Sequence, residues 1–300
     1  MILCVGPTPA LQRTMRFDRV AVNDVNRAHT VRAYASGKAT NVARVLQAIG
    51  ETPVVTGFLG GEIAMTYRDD LDQSKIRHEF VDVPSPTRVC VTVIDDAAAT
   101  ATELVEESAP VDEGAWEKLL AVVSHHASAS AAIVISGSLP PKSPPGVYGE
   151  IVRIAHRAGI PAMIDARGEE MSLAIAERPF VAKLNRAELG ATVGTQLDRE
   201  SDIRLAMSKL IDRGARWAVV TLGAEGALVS DGREFWRIES PPVKTISAVG
   251  SGDAFMAGLA AGILRGLSVS DACRMGAACG AANAMSPYAG DVALSDVVRL

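Results

Sequence analysis

The 300-residue sequence has little of what marks several large classes of protein. It contains no apolar run of the roughly 18 residues that a membrane-crossing helix needs. Aromatic residues make up only 4% of it, and acidic and basic residues are interspersed at a net charge of -5. A nucleic-acid surface uses basic stripes and aromatic platforms, so neither nucleic acid nor membrane is an expected partner.

Cysteine is also scarce. Cys4, Cys90, Cys273 and Cys279 form no Cys-x-x-Cys pair and no Cys/His cluster with zinc spacing. We expect buried free thiols, which fit a reducing compartment. Ile2–Val5 is strand-like and lacks the basic and apolar regions of a signal peptide. We therefore expect a cytoplasmic protein.

What the sequence does contain is an alternation of short β-branched runs with segments of helical period. We expect strands at Val54–Leu59, Ala132–Ser136, Pro161–Asp165, Phe180–Leu184 and Trp217–Leu222. We expect helices at Thr40–Ile49, Trp116–His126, Val147–Ala158 and Ile203–Arg213. The alternation predicts a three-layer α/β fold, with a mostly parallel sheet flanked by helices, as one domain over residues 1–300.

Two stretches, Thr14–Tyr34 and Arg88–Val105, alternate like strands with no helix between them. We expect hairpins that project from the main sheet as a small β-sheet lid, formed by about residues 12–35 and 86–106. A lid would exclude water from a reaction. Edge strands and a dimer contact stay open as alternatives. Ala97–Ala101 is expected to be a loop or turn in the second hairpin.

The most informative segment is Gly250-Ser251-Gly252-Asp253, which precedes a helix expected to continue to about Arg265. Two glycines around a serine permit a tight turn whose N–H groups point into one concavity at a helix N-terminus, where anions bind. Asp253 could take a proton from a hydroxyl that attacks a phosphorus atom held there. On local chemistry alone, Ser251 or Asp253 could equally cap the helix.

The full segment Ala248–Gly258, A-V-G-S-G-D-A-F-M-A-G, resembles the carboxyl-terminal signature of the ribokinase-like, phosphofructokinase-B carbohydrate kinases. The resemblance extends over essentially the whole chain. It implies an ATP- and Mg²⁺-dependent kinase in which Asp253 is the catalytic base, and it leaves a monovalent-cation requirement open. The residues implied to stabilise the transferred group are Gly250, Ser251 and Gly252.

Three further motifs are similar to the family's. Ser136–Pro141 resembles its S-G-S-L-P-P turn, which places Ser138 in the substrate cleft. Lys183–Glu188 resembles K-P-N-x-x-E, with Leu184 in place of proline. That likeness implies that Lys183 reaches the ATP phosphates, and that Asn185 and Glu188 organise Mg²⁺ through water, which suits an ion that prefers oxygen ligands and retains several waters.

Thr221–Ala227 resembles the family's S/T-L-G-x-x-G nucleotide turn. The residues implied to contact ATP there are Thr221, Gly223 and Gly226. Asn283 is expected near the adenine pocket; the alternative is that the small-residue helix Ala277–Met285 simply packs closely. Without the neighbouring motifs, Thr221–Ala227 would be interpreted as an ordinary β-turn between two strands.

Ser36–Arg44 resembles the family's amino-terminal G-G-K-G-x-N-V-A-R, although Ser36 and Ala39 replace two glycines. It is not a Walker A loop, because Ala39 lacks the metal-binding hydroxyl. With its flanking basic residues, the motif is most similar to the 1-phosphofructokinase and tagatose-6-phosphate kinase branch. The resemblance implies that Arg27, Lys38 and Arg88 hold the phosphate group of the sugar, that Asn41 contacts the sugar hydroxyls, and that Gly37 belongs to the same substrate site. Three cationic groups would suit a dianion.

Thr8–Gln12, T-P-A-L-Q, resembles N-P-A-L-D, so Gln12 stands where an aspartate would accept hydrogen bonds from substrate hydroxyls. An amide both donates and accepts, so Gln12 leaves the identity of the sugar open. We predict phosphoryl transfer to a ketohexose phosphate by a homodimer joined through the lid. The alternatives are a kinase of an unphosphorylated sugar or nucleoside, and a non-catalytic regulator that binds nucleotide or sugar phosphate.

Overall fold

The computed structural model describes residues 1–300 and contains fifteen strands and ten α-helices. The strands are β1 (Ile2–Val5), β2 (Ala10–Phe17), β3 (Thr30–Ser36), β4 (Pro53–Thr56), β5 (Phe58–Leu59), β6 (Arg77–His78), β7 (Val81–Asp82), β8 (Arg88–Asp95), β9 (Thr100–Val105), β10 (Ala132–Ser136), β11 (Ala162–Asp165), β12 (Val181–Asn185), β13 (Trp217–Thr221), β14 (Ala227–Ser230) and β15 (Phe235–Ile238). The helices are α1 (Lys38–Ala48), α2 (Ile63–Gln73), α3 (Glu113–Ala127), α4 (Val147–Arg157), α5 (Gly168–Ala176), α6 (Arg186–Val193), α7 (Glu200–Asp212), α8 (Ser251–Leu264), α9 (Val269–Ala284) and α10 (Leu294–Arg299).

The central sheet has nine strands in the order β15-β14-β13-β12-β11-β10-β1-β4-β6. It is parallel from β6 to β13, and β14 is antiparallel to both of its neighbours. Its inner strands are buried on both sides, as β1 illustrates: Ile2 and Cys4 join one apolar core, and Leu3 and Val5 join the other. The first core contains residues of α1, α2, α8, α9 and α10, and the second contains residues of α3 to α7. This is the expected three-layer α/β fold.

A separate four-stranded sheet has the order β3-β2-β8-β9. The two expected hairpins form it, because β2 pairs antiparallel with β3 and β8 pairs antiparallel with β9. The hairpins are joined to each other by the parallel pair β2–β8, with Ala10 opposite Arg88 and Phe17 opposite Asp95. They are therefore not edge strands of the central sheet.

The expected strand Val54–Leu59 is wrong as a single element. The structure divides it into β4 and β5 at Gly57, where a Cβ atom would lie 2.1 Å from the carbonyl oxygen of Gly6. The chain passes so close to Gly6 that the strand leaves the central sheet, and β5 pairs with β7 instead. The expected turn in the second hairpin is shorter than Ala97–Ala101, because β9 already begins at Thr100.

One expectation from composition is confirmed. All four cysteines are buried free thiols. No helix of the structure has both the length and the apolar character needed to cross a bilayer.

Helices α8 and α9 pack at very short range. A Cβ at Gly276 of α9 would lie 2.8 Å from the carbonyl oxygen of Phe255, and a Cβ at Gly258 of α8 would lie 2.7 Å from that of Met275. Small residues thus let one helix backbone rest against the other. Because α8 begins at Ser251, this packing also fixes the direction of the helix that carries Asp253.

We predict that Gly276→Ala lowers the free energy of unfolding by about 1–3 kcal/mol, since the added methyl group overpacks the contact with Phe255. Helix propensity alone would favour alanine by about 1 kcal/mol. Gly114→Ala is the matched control, because Gly114 lies exposed in α3 and a Cβ there meets only the Oδ1 of Asp112, at 3.4 Å. Urea denaturation should show Gly276→Ala destabilised and Gly114→Ala unchanged or stabilised; equal effects would contradict close packing.

Candidate active site

One large cavity of about 950 Å³ opens at the carboxyl ends of the central strands, below the four-stranded sheet. Most of the predicted site residues line it, although they come from distant parts of the chain. They are Gln12, Gly37, Lys38, Asn41, Arg88, Lys183, Asn185, Glu188, Thr221, Gly223, Gly226, Gly250, Ser251, Gly252 and Asp253. Arg27, Ser138 and Asn283 are not part of its wall.

The glycine loop before α8 has the geometry of an anion site. Gly250 adopts the left-handed conformation, with φ 82° and ψ -5°, and no side chain caps the helix. The N–H groups of Gly250, Gly252 and Asp253 have no acceptor in the protein. A Cβ on Gly252 would lie 3.3 Å from Lys183 Nζ, so this ammonium group sits beside the loop. Free N–H groups at the positive end of a helix, next to a cation, favour a phosphate group.

Asp253 is only 6% exposed, and its Oδ2 accepts a hydrogen bond of 2.8 Å from Asn41 Nδ2. Burial raises the pKa of Asp253 to about 6; the positive charge of Lys38 opposes this rise and the negative charge of Asp165 adds to it. The carboxylate is thus ionised near neutral pH, yet basic enough to accept a proton. The interpretation of Asp253 as a helix cap finds no support, since its side chain bonds Asn41 on α1 instead of the turn.

A buried ion cluster joins the two predicted lysines, and sequence reasoning missed its centre. Asp165, at the end of β11, accepts hydrogen bonds from Lys183 Nζ at 2.6 Å and from Lys38 Nζ at 3.1 Å. Lys38 Nζ also donates to Glu188 Oε1 at 3.1 Å. The available signal was that Asp165 ends an otherwise apolar parallel strand, at the edge where sites of α/β proteins form.

The carboxylates and the lysines of this cluster stabilise each other's charged forms. Burial alone would raise the pKa of Asp165, but the two lysines outweigh it and hold that pKa below its ordinary value. Burial would likewise lower the pKa of Lys38, but Asp165, Glu188 and Asp253 raise it on balance. Lys38 Nζ therefore lies beside Asp165 and Glu188, and its expected part in holding the sugar phosphate stays a prediction.

The residues expected to hold Mg²⁺ have suitable oxygens but are engaged with each other. Asn185 Oδ1 accepts from the N–H of Glu188, and Glu188 Oε2 accepts from the N–H of Asn185, both at 2.8 Å, in a capping box that begins α6. No group of three or more His, Cys, Asp or Glu side chains is arranged to hold a metal ion. This donor set fits an ion that keeps most of its waters and is bound mainly by phosphate oxygens.

At the nucleotide end, Thr221, Gly223 and Gly226 line the cavity after β13. Gly226 has φ 89°, and a Cβ there would lie 1.9 Å from the carbonyl oxygen of Ile238, so this turn requires glycine. Sequence reasoning missed the rest of this wall, which consists of a proline-containing segment and small residues of α9. These residues are Ser240, Pro241, Pro242, Val243, Thr245, Ala277, Gly280, Ala281 and Ala284.

We call the end of the cavity beneath the four-stranded sheet, where the sugar is expected to bind, the sugar end. Arg27 lies on an exposed turn between β2 and β3, outside the cavity wall. Arg88 lines the cavity and is tethered by hydrogen bonds to the carbonyl oxygens of Glu106 and Thr8. Glu103, which was not anticipated, also lines the cavity. Burial raises the pKa of this carboxyl group, and the charge of Arg88 lowers it.

Gln12 and Thr92 meet on the inner face of the four-stranded sheet. Gln12 Nε2 donates to Thr92 Oγ1 at 2.8 Å, and the two residues are 3% and 2% exposed. No protein donor approaches Gln12 Oε1 in this arrangement, which leaves the oxygen as an acceptor. Ser138 is placed just behind the sugar end, where its carbonyl oxygen accepts a 3.0 Å hydrogen bond from Thr8 Oγ1.

The profile of the pfkB family of carbohydrate kinases matches residues 1–295. The chain belongs to this family. It is thus a phosphotransferase acting on a carbohydrate hydroxyl, and the glycine loop with Asp253 is the segment that first indicated it.

Solved structures agree with this family assignment. Phosphofructokinase-2 from Escherichia coli in complex with potassium is 25% identical, with a TM-score of 0.91 over 100% of this chain and 97% of that one. The same enzyme in complex with fructose-6-phosphate is also 25% identical, with a TM-score of 0.90 over 100% of this chain and 97% of that one. A putative phosphofructokinase from Staphylococcus aureus is 29% identical, with a TM-score of 0.80 over 100% of this chain and 95% of that one.

For this pfkB kinase we predict that Asp165→Asn lowers the free energy of unfolding at pH 7 by about 3–5 kcal/mol, because it leaves the buried Lys183 ammonium without an anion. The pKa of Asp165 is lowered in the folded state, so this loss should shrink as pH falls below the ordinary carboxyl pKa of about 4.

The matched control is Asp82→Asn, which breaks a pair with Arg68 in which Asp82 is 80% exposed. Its effect should stay within about 0.5 kcal/mol. Urea denaturation at pH 7 and below pH 4 measures both variants. Equal losses for the two variants would show that the Asp165 cluster does not stabilise the fold.

Proposed function

We propose that this kinase transfers the γ-phosphoryl group of ATP to a hydroxyl group of a ketohexose phosphate, with Asp253 as the general base. One observation carries the proposal: the Asp253 carboxylate stands at the start of α8, next to three N–H groups that have no acceptor in the protein. A base and an anion site therefore meet at one point of the cavity.

In this mechanism the acceptor hydroxyl donates its proton to the Asp253 carboxylate while its oxygen attacks the γ-phosphorus atom. The bond from that phosphorus to the β-phosphate oxygen breaks, and ADP leaves. The loop N–H groups and Lys183 stabilise the charge on the transferring group, and Asn41 holds the carboxylate in place. Mg²⁺, held by phosphate oxygens and through water by Asn185 and Glu188, would offset the phosphate charge. The four-stranded sheet covers the sugar end as a lid and keeps water out.

The phosphorylated acceptor is supported by Arg88 in the cavity wall and by the likeness to an enzyme solved with fructose-6-phosphate. A second candidate is a kinase of an unphosphorylated sugar or nucleoside. The observation that favours it is the charge at the sugar end, where Arg88 faces the carboxylate of Glu103, while Lys38 is paired elsewhere and Arg27 lies outside the wall.

The proposal includes a homodimer through the lid and a response to potassium. The face of the four-stranded sheet that points away from the cavity leaves Val31 and Leu104 46% and 57% exposed, which suits cover by a second copy. The proposal includes potassium because the similar Escherichia coli enzyme was solved in complex with that ion.

We predict ADP release with Mg·ATP and one ketohexose phosphate in a panel that includes free sugars and nucleosides. Asp253→Asn should reduce kcat by about 10²–10⁴-fold, since the amide cannot accept the proton. The pKa of about 6 requires that the wild-type rate falls as pH decreases through 6, because the protonated form is inactive. A variant with near-normal turnover would remove Asp253 as the base, and absence of turnover on every acceptor would favour the regulator interpretation.

The two candidate acceptors are separated by Arg88→Met. For a phosphorylated sugar, KM for the sugar should rise by about 10–150-fold, because a charge-assisted hydrogen bond contributes about 1.5–3 kcal/mol. For a neutral sugar, KM should change little. Arg157→Met is the control, since Arg157 lies exposed on α4 and pairs with Glu150. The measurement is KM for the phosphorylated and for the neutral sugar, from steady-state kinetics at saturating ATP.

A further inference from the structure

Asn283 is fully buried in α9 and lies outside the cavity, yet two of its three side-chain hydrogen bonds go to the glycine loop. Its Nδ2 donates to the carbonyl oxygen of Val249 at 2.9 Å and to Ser251 Oγ at 3.2 Å. Its Oδ1 accepts from the N–H of Gly290 at 2.8 Å. A carbonyl oxygen only accepts and a backbone N–H only donates, so the amide has one possible orientation.

The segment that contains Gly290 is held just as firmly on its other sides. The N–H of Ala289 donates to Tyr34 Oη, on β3 of the four-stranded sheet, at 3.0 Å. A Cβ on Gly250 would lie 2.8 Å from Ala289 Cβ, and a Cβ on Gly290 would lie 3.0 Å from Asn41 Cα. This segment is therefore wedged between the glycine loop, the start of α1 and the lid.

The loop before α8 has few hydrogen bonds of its own. The N–H of Ser251 donates to the carbonyl oxygen of Ala248 at 3.1 Å, whereas the N–H of the left-handed Gly250 has no acceptor in the protein. Gly252 and Asp253 lie in the first turn of α8, so the directions of their free N–H groups follow the placement of that turn. The two bonds from Asn283 Nδ2 flank Gly250 on either side. One bond holds the Val249 carbonyl group, before the glycine, and the other holds the Ser251 side chain, after it.

We propose that Asn283 is a positioning residue for phosphoryl transfer, which aims the N–H groups of Gly250, Gly252 and Asp253 at the transferring group. The inference rests on the proposed function of the loop as the phosphoryl site. It replaces the expected contact of Asn283 with adenine. A donor that is misdirected by a fraction of an ångström stabilises the transition state less, while ADP, which lacks the transferred group, is bound as before.

The test is Asn283→Asp, which keeps the shape of the side chain but replaces the donor NH₂ with an oxygen that repels the Val249 carbonyl group. We expect kcat to fall by about 100-fold, as for loss of one oxyanion donor, with KM for ATP changed by less than about threefold. Calorimetry should show unchanged Mg·ADP affinity. Aluminium fluoride, which mimics the transferred phosphoryl group, should tighten ADP binding in the wild type and not in the variant.

Ser230→Ala is the matched control, because Ser230 is fully buried and braces the β14–β15 turn through bonds to Glu234 and Gly232, away from the cavity. It should lower thermal stability without changing kcat. If Asn283→Asp does not fold, Tyr34→Phe removes the acceptor of the Ala289 N–H and should show the same pattern more weakly.

Two results would overturn the inference: near-normal kcat in Asn283→Asp, or a parallel loss of ADP affinity and of the fluoride effect, which would mean general collapse of the site. Failure of the proposed function is a separate outcome. It would appear as absence of wild-type turnover on every acceptor, and the fluoride measurement, which needs no acceptor, would still decide the role of Asn283.

Discussion

The burial of one carboxylate between two ammonium groups organises the whole site. Asp165 is fully buried and could not remain charged there without Lys38 and Lys183. In return, it fixes both lysines. Lys183 is thereby held beside Gly252, where a phosphate would bind, and Lys38 is held within reach of Glu188. The cluster thus sets the positions of the charges that any nucleotide must meet.

The topology explains why these groups converge. Parallel strands end at one edge of a sheet. Asp165, the last residue of β11, is therefore level with Lys183 in β12, and Asn185, the last residue of β12, is level with Thr221, the last residue of β13. The sugar end comes from elsewhere, since Gln12 and Arg88 lie on the four-stranded sheet. The cavity lies between the edge of the central sheet and the four-stranded sheet.

Sequence reasoning succeeded where the signal is local. The glycine loop, the buried parallel strands and the hairpins depend on neighbouring residues, and the structure shows each of these elements. It failed where the outcome depends on distant partners. Nothing near Lys38 indicates that it pairs with a carboxylate 127 residues later, and only the three-dimensional structure shows that Gly57 passes Gly6 too closely for a continuous strand.

The charge balance of the cluster bears on how a nucleotide enters. Lys38 and Lys183 carry two positive charges, and Asp165 and Glu188 carry two negative ones, so the four groups are neutral together. A bare triphosphate would add several negative charges to this balanced, partly buried site, at a high cost in desolvation. A triphosphate that arrives with its own divalent cation adds far fewer. If the proposed nucleotide site is right, the paired lysines would favour the metal-bound nucleotide over the free one, without any cage of protein ligands for the metal.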